Sequence, residues 1–123
     1  MFKPLALTAL LASGLGLGST AMAAGTPSVD HYFQTMQLSV DAANDLGAKC
    51  SASLAKGGSP SRGSCISFKQ AYGIVLDQSD SLNQSMKKAN QRLPSNDPRL
   101  DKLKTSTAKL NQYADTYYQK GGK

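Results

Sequence analysis

Few residues in this chain could carry acid–base, nucleophilic or metal chemistry. His31 is the only histidine, the carboxylates are eight aspartates with no glutamate, and the only cysteines are Cys50 and Cys65. A general acid or base would have to be one of those aspartates, His31, or a lysine or tyrosine with a displaced pKa. The carboxylates form two same-helix pairs, Asp41 with Asp45 and Asp77 with Asp80. Solvated helix faces account for both pairs. No nucleophile elbow, HExxH, P-loop or dinucleotide fingerprint occurs. The many serines have no histidine on an apolar face to activate them.

His31 and Met86 invite a second kind of chemistry, because a His/Met pair can ligate haem. An antiparallel hairpin would bring them to a similar level. The helical period then separates them: His31 falls about 200° around from Val29, away from the apolar stripe, while Met86 falls on it. No CxxCH is present for covalent attachment. The sequence therefore implies no cofactor.

Cys50 and Cys65 are too far apart for a CxxC redox pair. Two sulfurs and one distant histidine do not complete a zinc shell. The pair reads as a disulfide, and the N-terminal sequence favours that reading. Lys3, the apolar run Leu5 to Leu17 and the small–x–small Ala21-Met22-Ala23 have the three parts of a cleavable signal peptide. The run of roughly 13 residues is shorter than the 20 or so needed to cross a hydrocarbon core, which argues against an uncleaved anchor. The expected leader is residues 1–23, with Ala24 as an alternative last residue, and the expected destination is the periplasm. The remaining residues 24–123 suffice for one domain. In an oxidising compartment an isolated cysteine pair is a staple.

The elements that must position these residues are helices. Thr26-Pro27 reads as a cap and first helical residue. Val29, Tyr32, Phe33, Met36, Val40, Ala43, Cys50 and Leu54 then recur at helical steps until Gly57-Gly58-Ser59-Pro60. A second stripe runs through Cys65, Phe68, Tyr72, Val75, Leu76, Leu82, Met86 and Leu93, and stops at Pro94. A third begins at Asp97-Pro98 and carries Leu100, Leu103, Thr107, Leu110, Ala114 and Tyr117, with Gly121-Gly122 after it. The expected helices are about 27–56, 65–93 and 98–120. Short connections make neighbours antiparallel. The sequence thus predicts an all-α, up-down-up three-helix bundle stapled by one disulfide; a four-helix assembly through a homodimer is the alternative.

Two surface features remain. The chain carries a formal charge of +6. Lys87, Lys88 and Arg92 end the second helix, and Arg99, Lys102 and Lys104 begin the third, so the turn gathers them at one end of the bundle. Such an end suits an anionic partner, either an acidic envelope protein or an anionic surface component. The export reading argues against nucleic acid. A solvated surface is the plain explanation. The other feature is Leu38, Ile66, Ile74 and Tyr113, which lie off the stripes. Ile66 and Ile74, two turns apart, could be covered by a partner. The function that requires no missing residue type is a non-enzymatic envelope binding protein, such as an inhibitor, immunity protein or small chaperone. A ligand-carrying bundle and an enzyme using aspartate or lysine chemistry are the alternatives.

Overall fold

The structure, a computed structural model, describes residues 27–123. The expected leader 1–23 and the expected cap Thr26 lie outside the described residues. Three helices follow in order: α1 Pro27–Ala55, α2 Ser64–Lys88 and α3 Pro98–Gln119. They pack against one another without strands among the described residues, as the periodicity predicts. The stripes meet in one core that holds Val29, Tyr32, Met36, Val40, Phe68, Tyr72, Val75, Leu103 and Leu110. Burying these faces supplies the main favourable free energy, and the periodicity matters because it puts them on one side of each helix. No described helix is long and apolar enough to cross a membrane.

The three helices do not pair equally. α1 packs closely along both α2 and α3, whereas the backbones of α2 and α3 hardly approach each other. Aromatic rings span that wider side: Phe68 meets Tyr117 edge-on at 5.8 Å and stacks near Tyr72 at 5.9 Å. On the tight side, Gly47 sits well inside α1. A β-carbon there would stand 2.7–2.8 Å from Tyr113 Cβ, Cγ and Cδ2. Glycine at this position lets α1 and α3 come together, at the cost of helix propensity. Polar side chains also tie α1 to its neighbours. Asn44 Nδ2 donates to the Ser106 carbonyl at 2.9 Å, Gln37 donates to Ser106 Oγ at 3.0 Å, and Ser39 donates to Gln78 on α2.

All three helices end in the same way. In the Schellman arrangement a left-handed residue follows the helix and two backbone N–H groups return to the last free carbonyls. Gly57, Asn90 and Gly121 are the left-handed residues, with φ of 87°, 58° and 98°. The paired bonds run from Gly57 and Gly58 to Leu54 and Ser53, from Asn90 and Gln91 to Lys87 and Met86, and from Gly121 and Gly122 to Tyr118 and Tyr117. Asn90 explains where the helix bounds differ from expectation. α2 ends at Lys88 rather than at residue 93, because Asn90 turns the chain there. Leu93 remains fully buried, but it reaches the core from the connecting loop. Periodicity identified its burial and not its backbone, since a buried loop leucine continues the stripe as well as a helical one.

The predicted staple is present. Cys50 near the end of α1 and Cys65 at the start of α2 form a disulfide, and both are buried in the core. It closes the hairpin beside the Gly57–Gly63 turn.

Candidate functional site

The predicted basic residues flank the turn between α2 and α3, and they divide into two groups. Lys87, Lys88, Arg92, Lys102 and Lys104 are exposed. None of the five has an ion-pair partner among the described residues. Beneath them Leu93 and Pro94 are buried, so the cations stand on a packed base.

Arg99 is engaged differently. Asp97 caps α3 by accepting the Arg99 backbone N–H at 2.9 Å, with Pro98 as the first helical residue. The Arg99 side chain folds back on the same carboxylate: Nε donates to Oδ1 at 3.1 Å and Nη2 to Oδ2 at 2.8 Å. Nη1 reaches Asp30 on α1 at 3.0 Å, and the guanidinium lies 4.5 Å from the centre of the Phe33 ring. This planar fork matches carboxylate geometry and stacks on an aromatic face, which lysine cannot do. Hydrogen bonding from Arg99 holds the Asp97 carboxyl below its ordinary range, against the opposing effect of burial. Arg99 thus ties the start of α1 to the start of α3. The two-residue spacing from Asp97 signals the link to the cap, whereas no spacing announces Asp30 and Phe33 on α1.

A second set of cations gathers at the opposite, disulfide end. Lys56, Arg62, Lys69 and Lys120 are all exposed and without an ion-pair partner among the described residues. Lys49 is paired with Asp45 at 3.2 Å. The disulfide and the Phe68–Tyr117 contact bring the end of α1, the start of α2 and the end of α3 to this pole. The signal was legible in the sequence, because no carboxylate occurs between Asp45 and Asp77. Exposed cations therefore stand at both ends of the bundle, with Lys109 exposed midway along α3.

The off-stripe apolar residues are exposed as expected: Leu38 by 66%, Ile74 by 53% and Ile66 by 37%. Tyr113 is half-buried, because its ring base fills the notch left by Gly47. Leu38 and Ile74 lie near the middle of their helices, whereas Ile66 lies at the disulfide pole.

Of the other side chains with possible chemistry, His31 is exposed and lies 3.4 Å from the Thr35 hydroxyl, while Met86 is buried. Asp41 accepts from Gln37 at 2.8 Å on the surface. Among the described residues no group of three histidine, cysteine or aspartate side chains is placed to hold a metal ion. Tyr32 is fully buried, and burial pushes its phenol up to about 12, with Asn83 and Ser79 pulling weakly the other way. Its hydroxyl lies near those two side chains without a well-formed hydrogen bond. Burial also pushes Tyr72 up, with Tyr118 and Asp115 adding to the effect.

Comparison with protein-family models, characterised proteins and solved structures finds no match to this chain.

Proposed function

We propose that this chain is a non-enzymatic binding protein of the cell envelope, exported to the periplasm, where it engages an acidic protein partner as an inhibitor, immunity protein or small chaperone. The observation that carries this reading is the group of Lys87, Lys88, Arg92, Lys102 and Lys104, all exposed and without ion-pair partners among the described residues, on a packed turn. Arg99 braces that turn through Asp30 and Asp97. A cationic surface of this kind speeds encounter with an anionic partner and rejects cationic ones. The exposed aspartates support the non-enzymatic part of the reading: Asp45 serves a surface ion pair, and Asp41 and Asp80 accept from neighbouring glutamines.

The test is capture from an envelope extract on the immobilised protein. A variant with Lys87, Lys88, Arg92, Lys102 and Lys104 changed to Asp serves as the comparison, with helicity checked by circular dichroism. The reading expects an acidic protein retained by the parent chain, released by salt and lost with the variant. Equal retention by both would remove this surface as the binding site.

A further inference from the structure

At the disulfide pole an exposed apolar side chain stands among cations that form no ion pair with the described residues. Ile66 is 37% exposed on the first turn of α2. Lys69 follows it by three residues on the same helical face, and Arg62 lies in the turn just before α2, ahead of Gly63. Lys56 follows the end of α1, and Lys120 caps α3 at the same pole. Asp45 is occupied by Lys49, which leaves Asp115 as the only other side-chain carboxylate near this end among the described residues. The opposite pole differs on both counts. It holds Asp30, Asp97 and Asp101 among its cations, and its apolar residues Leu93 and Pro94 are buried.

We propose that the disulfide pole is a docking surface for an anionic phospholipid bilayer, with Lys56, Arg62, Lys69 and Lys120 among the headgroups and Ile66 reaching the acyl boundary. The charge pattern favours a lipid surface over a protein. The cations come from the ends of three separate helices and the turn before α2, so they fit a delocalised sheet of negative charge. Protein interfaces instead centre on aromatic or arginine anchors in desolvated pockets, and Phe68 and Tyr117 are turned into the core. The connecting loop Gly57-Gly58-Ser59-Pro60-Ser61 has small side chains, which lets the pole approach a flat surface closely. Combining a modest apolar contact with several cations is the usual condition for stable attachment to an anionic leaflet. This surface is separate from the one proposed for the protein partner.

The experiment is co-sedimentation of the purified protein with vesicles of phosphatidylcholine containing phosphatidylglycerol, and with vesicles of phosphatidylcholine alone. Binding is expected only to the first and should weaken with salt. Each cation near an anionic leaflet strengthens partitioning roughly fivefold, so Lys56→Gln, Arg62→Gln and Lys69→Gln together should lower it about a hundredfold. Ile66→Gln should lower it roughly fivefold. Lys87→Gln, Lys88→Gln and Arg92→Gln remove the same number of charges from the other pole and should cost at least about tenfold less. The chain has no tryptophan, so Ile66→Trp gives a single indole fluorophore whose emission should shift to the blue on the anionic vesicles. Three results would each overturn the proposal: no anionic selectivity, equal losses from the two triple variants, or an unshifted indole emission from the Ile66→Trp variant. Displacement by inorganic phosphate beyond that of chloride at equal ionic strength would mean a discrete anion site and would also overturn it. Because the variants of the disulfide pole leave Lys87 to Lys104 intact, these failures are distinct from failure of the protein-partner reading.

Discussion

Changing Gly47 to alanine opposes two well-defined effects. Alanine in a helix interior is worth about 1 kcal/mol over glycine, and Gly47 lies well inside α1. On that ground alone the substitution should stabilise the protein. The new β-carbon, however, would lie 2.7–2.8 Å from the Cβ, Cγ and Cδ2 atoms of Tyr113. These atoms are at the base of the side chain and cannot swing away, so α1 and α3 must separate. Overpacking of this kind costs about 1–3 kcal/mol. Because three atoms are met at once, the upper part of that range applies, leaving Gly47→Ala a net loss of about 1–2 kcal/mol. For a domain of this size that lowers the melting temperature by roughly 4–16 °C. The decisive assay is a double-mutant cycle followed by urea unfolding at the helical circular-dichroism band. In a Tyr113→Ala background the obstruction is gone, and Gly47→Ala should become neutral or stabilising by up to about 1 kcal/mol. If Gly47→Ala stabilises the parent chain as much as it stabilises the Tyr113→Ala chain, the close approach of α1 and α3 does not depend on the missing side chain and the reasoning fails.

Replacing Cys50 and Cys65 by Ser opens a loop of 15 residues, which should cost about 3 kcal/mol; unfolding with and without reductant measures it, and an unchanged midpoint would count against the staple. Arg99→Ala should cost about 1 kcal/mol, a modest figure because the side chain is partly exposed, and Arg99→Lys should recover less than half of it by losing the fork. Asp97 has a lowered carboxyl pKa in the folded state, so its contribution is present above the ordinary aspartate value near 3.9 and is lost as pH falls through the lower folded value. The acid limb of a melting-temperature profile should therefore flatten in Arg99→Ala, and an identical limb in both proteins would refute the coupling. Tyr32 has its pKa pushed up to about 12. Its unfolded phenol ionises near 10, so stability should fall as pH rises from there towards 12, by an amount on the order of 2–3 kcal/mol from this residue. Tyr32→Phe should remove that part of the alkaline loss, and it should cost little at neutral pH because no well-formed hydrogen bond is lost.

Helical periodicity placed most of the core, since a stripe every three or four residues can be buried on only one face. Val29 through Leu54 on α1 and Leu100 through Tyr117 on α3 are buried where their spacing implies. The disulfide was legible for a similar reason: both cysteines fell on apolar faces beside a glycine-rich turn. Three features were not legible, and each depends on a neighbour far away in sequence or on a single backbone angle. Gly47 reads as a weak point in a helix until Tyr113 is placed against it. Arg99 reads as one cation among six until Asp30 and Phe33 arrive from α1. The end of α2 depends on Asn90 adopting a φ of 58°, which asparagine tolerates without announcing it.

The distribution of charge follows from the same packing. α1 is close to both neighbours along its length, and beside its apolar core stripe its seams hold short neutral residues such as Ser39, Asn44 and Gly47. A lysine or arginine in those seams would hold the helices apart. Cations accordingly stand off these seams: most lie toward the ends, where the turns leave room for long side chains and water, and Lys109 is exposed midway along α3. Keeping long cations out of the seams requires no partner. Packing does not account for what accompanies each pole. The Arg99 brace and buried Leu93 accompany one pole, and an exposed Ile66 accompanies the other. Solubility requires neither, and because Leu38 and Ile74 are more exposed than Ile66, it is the place of Ile66 at a cationic pole rather than its exposure that sets it apart. The disulfide pole is therefore where a search for contact with an anionic surface should begin.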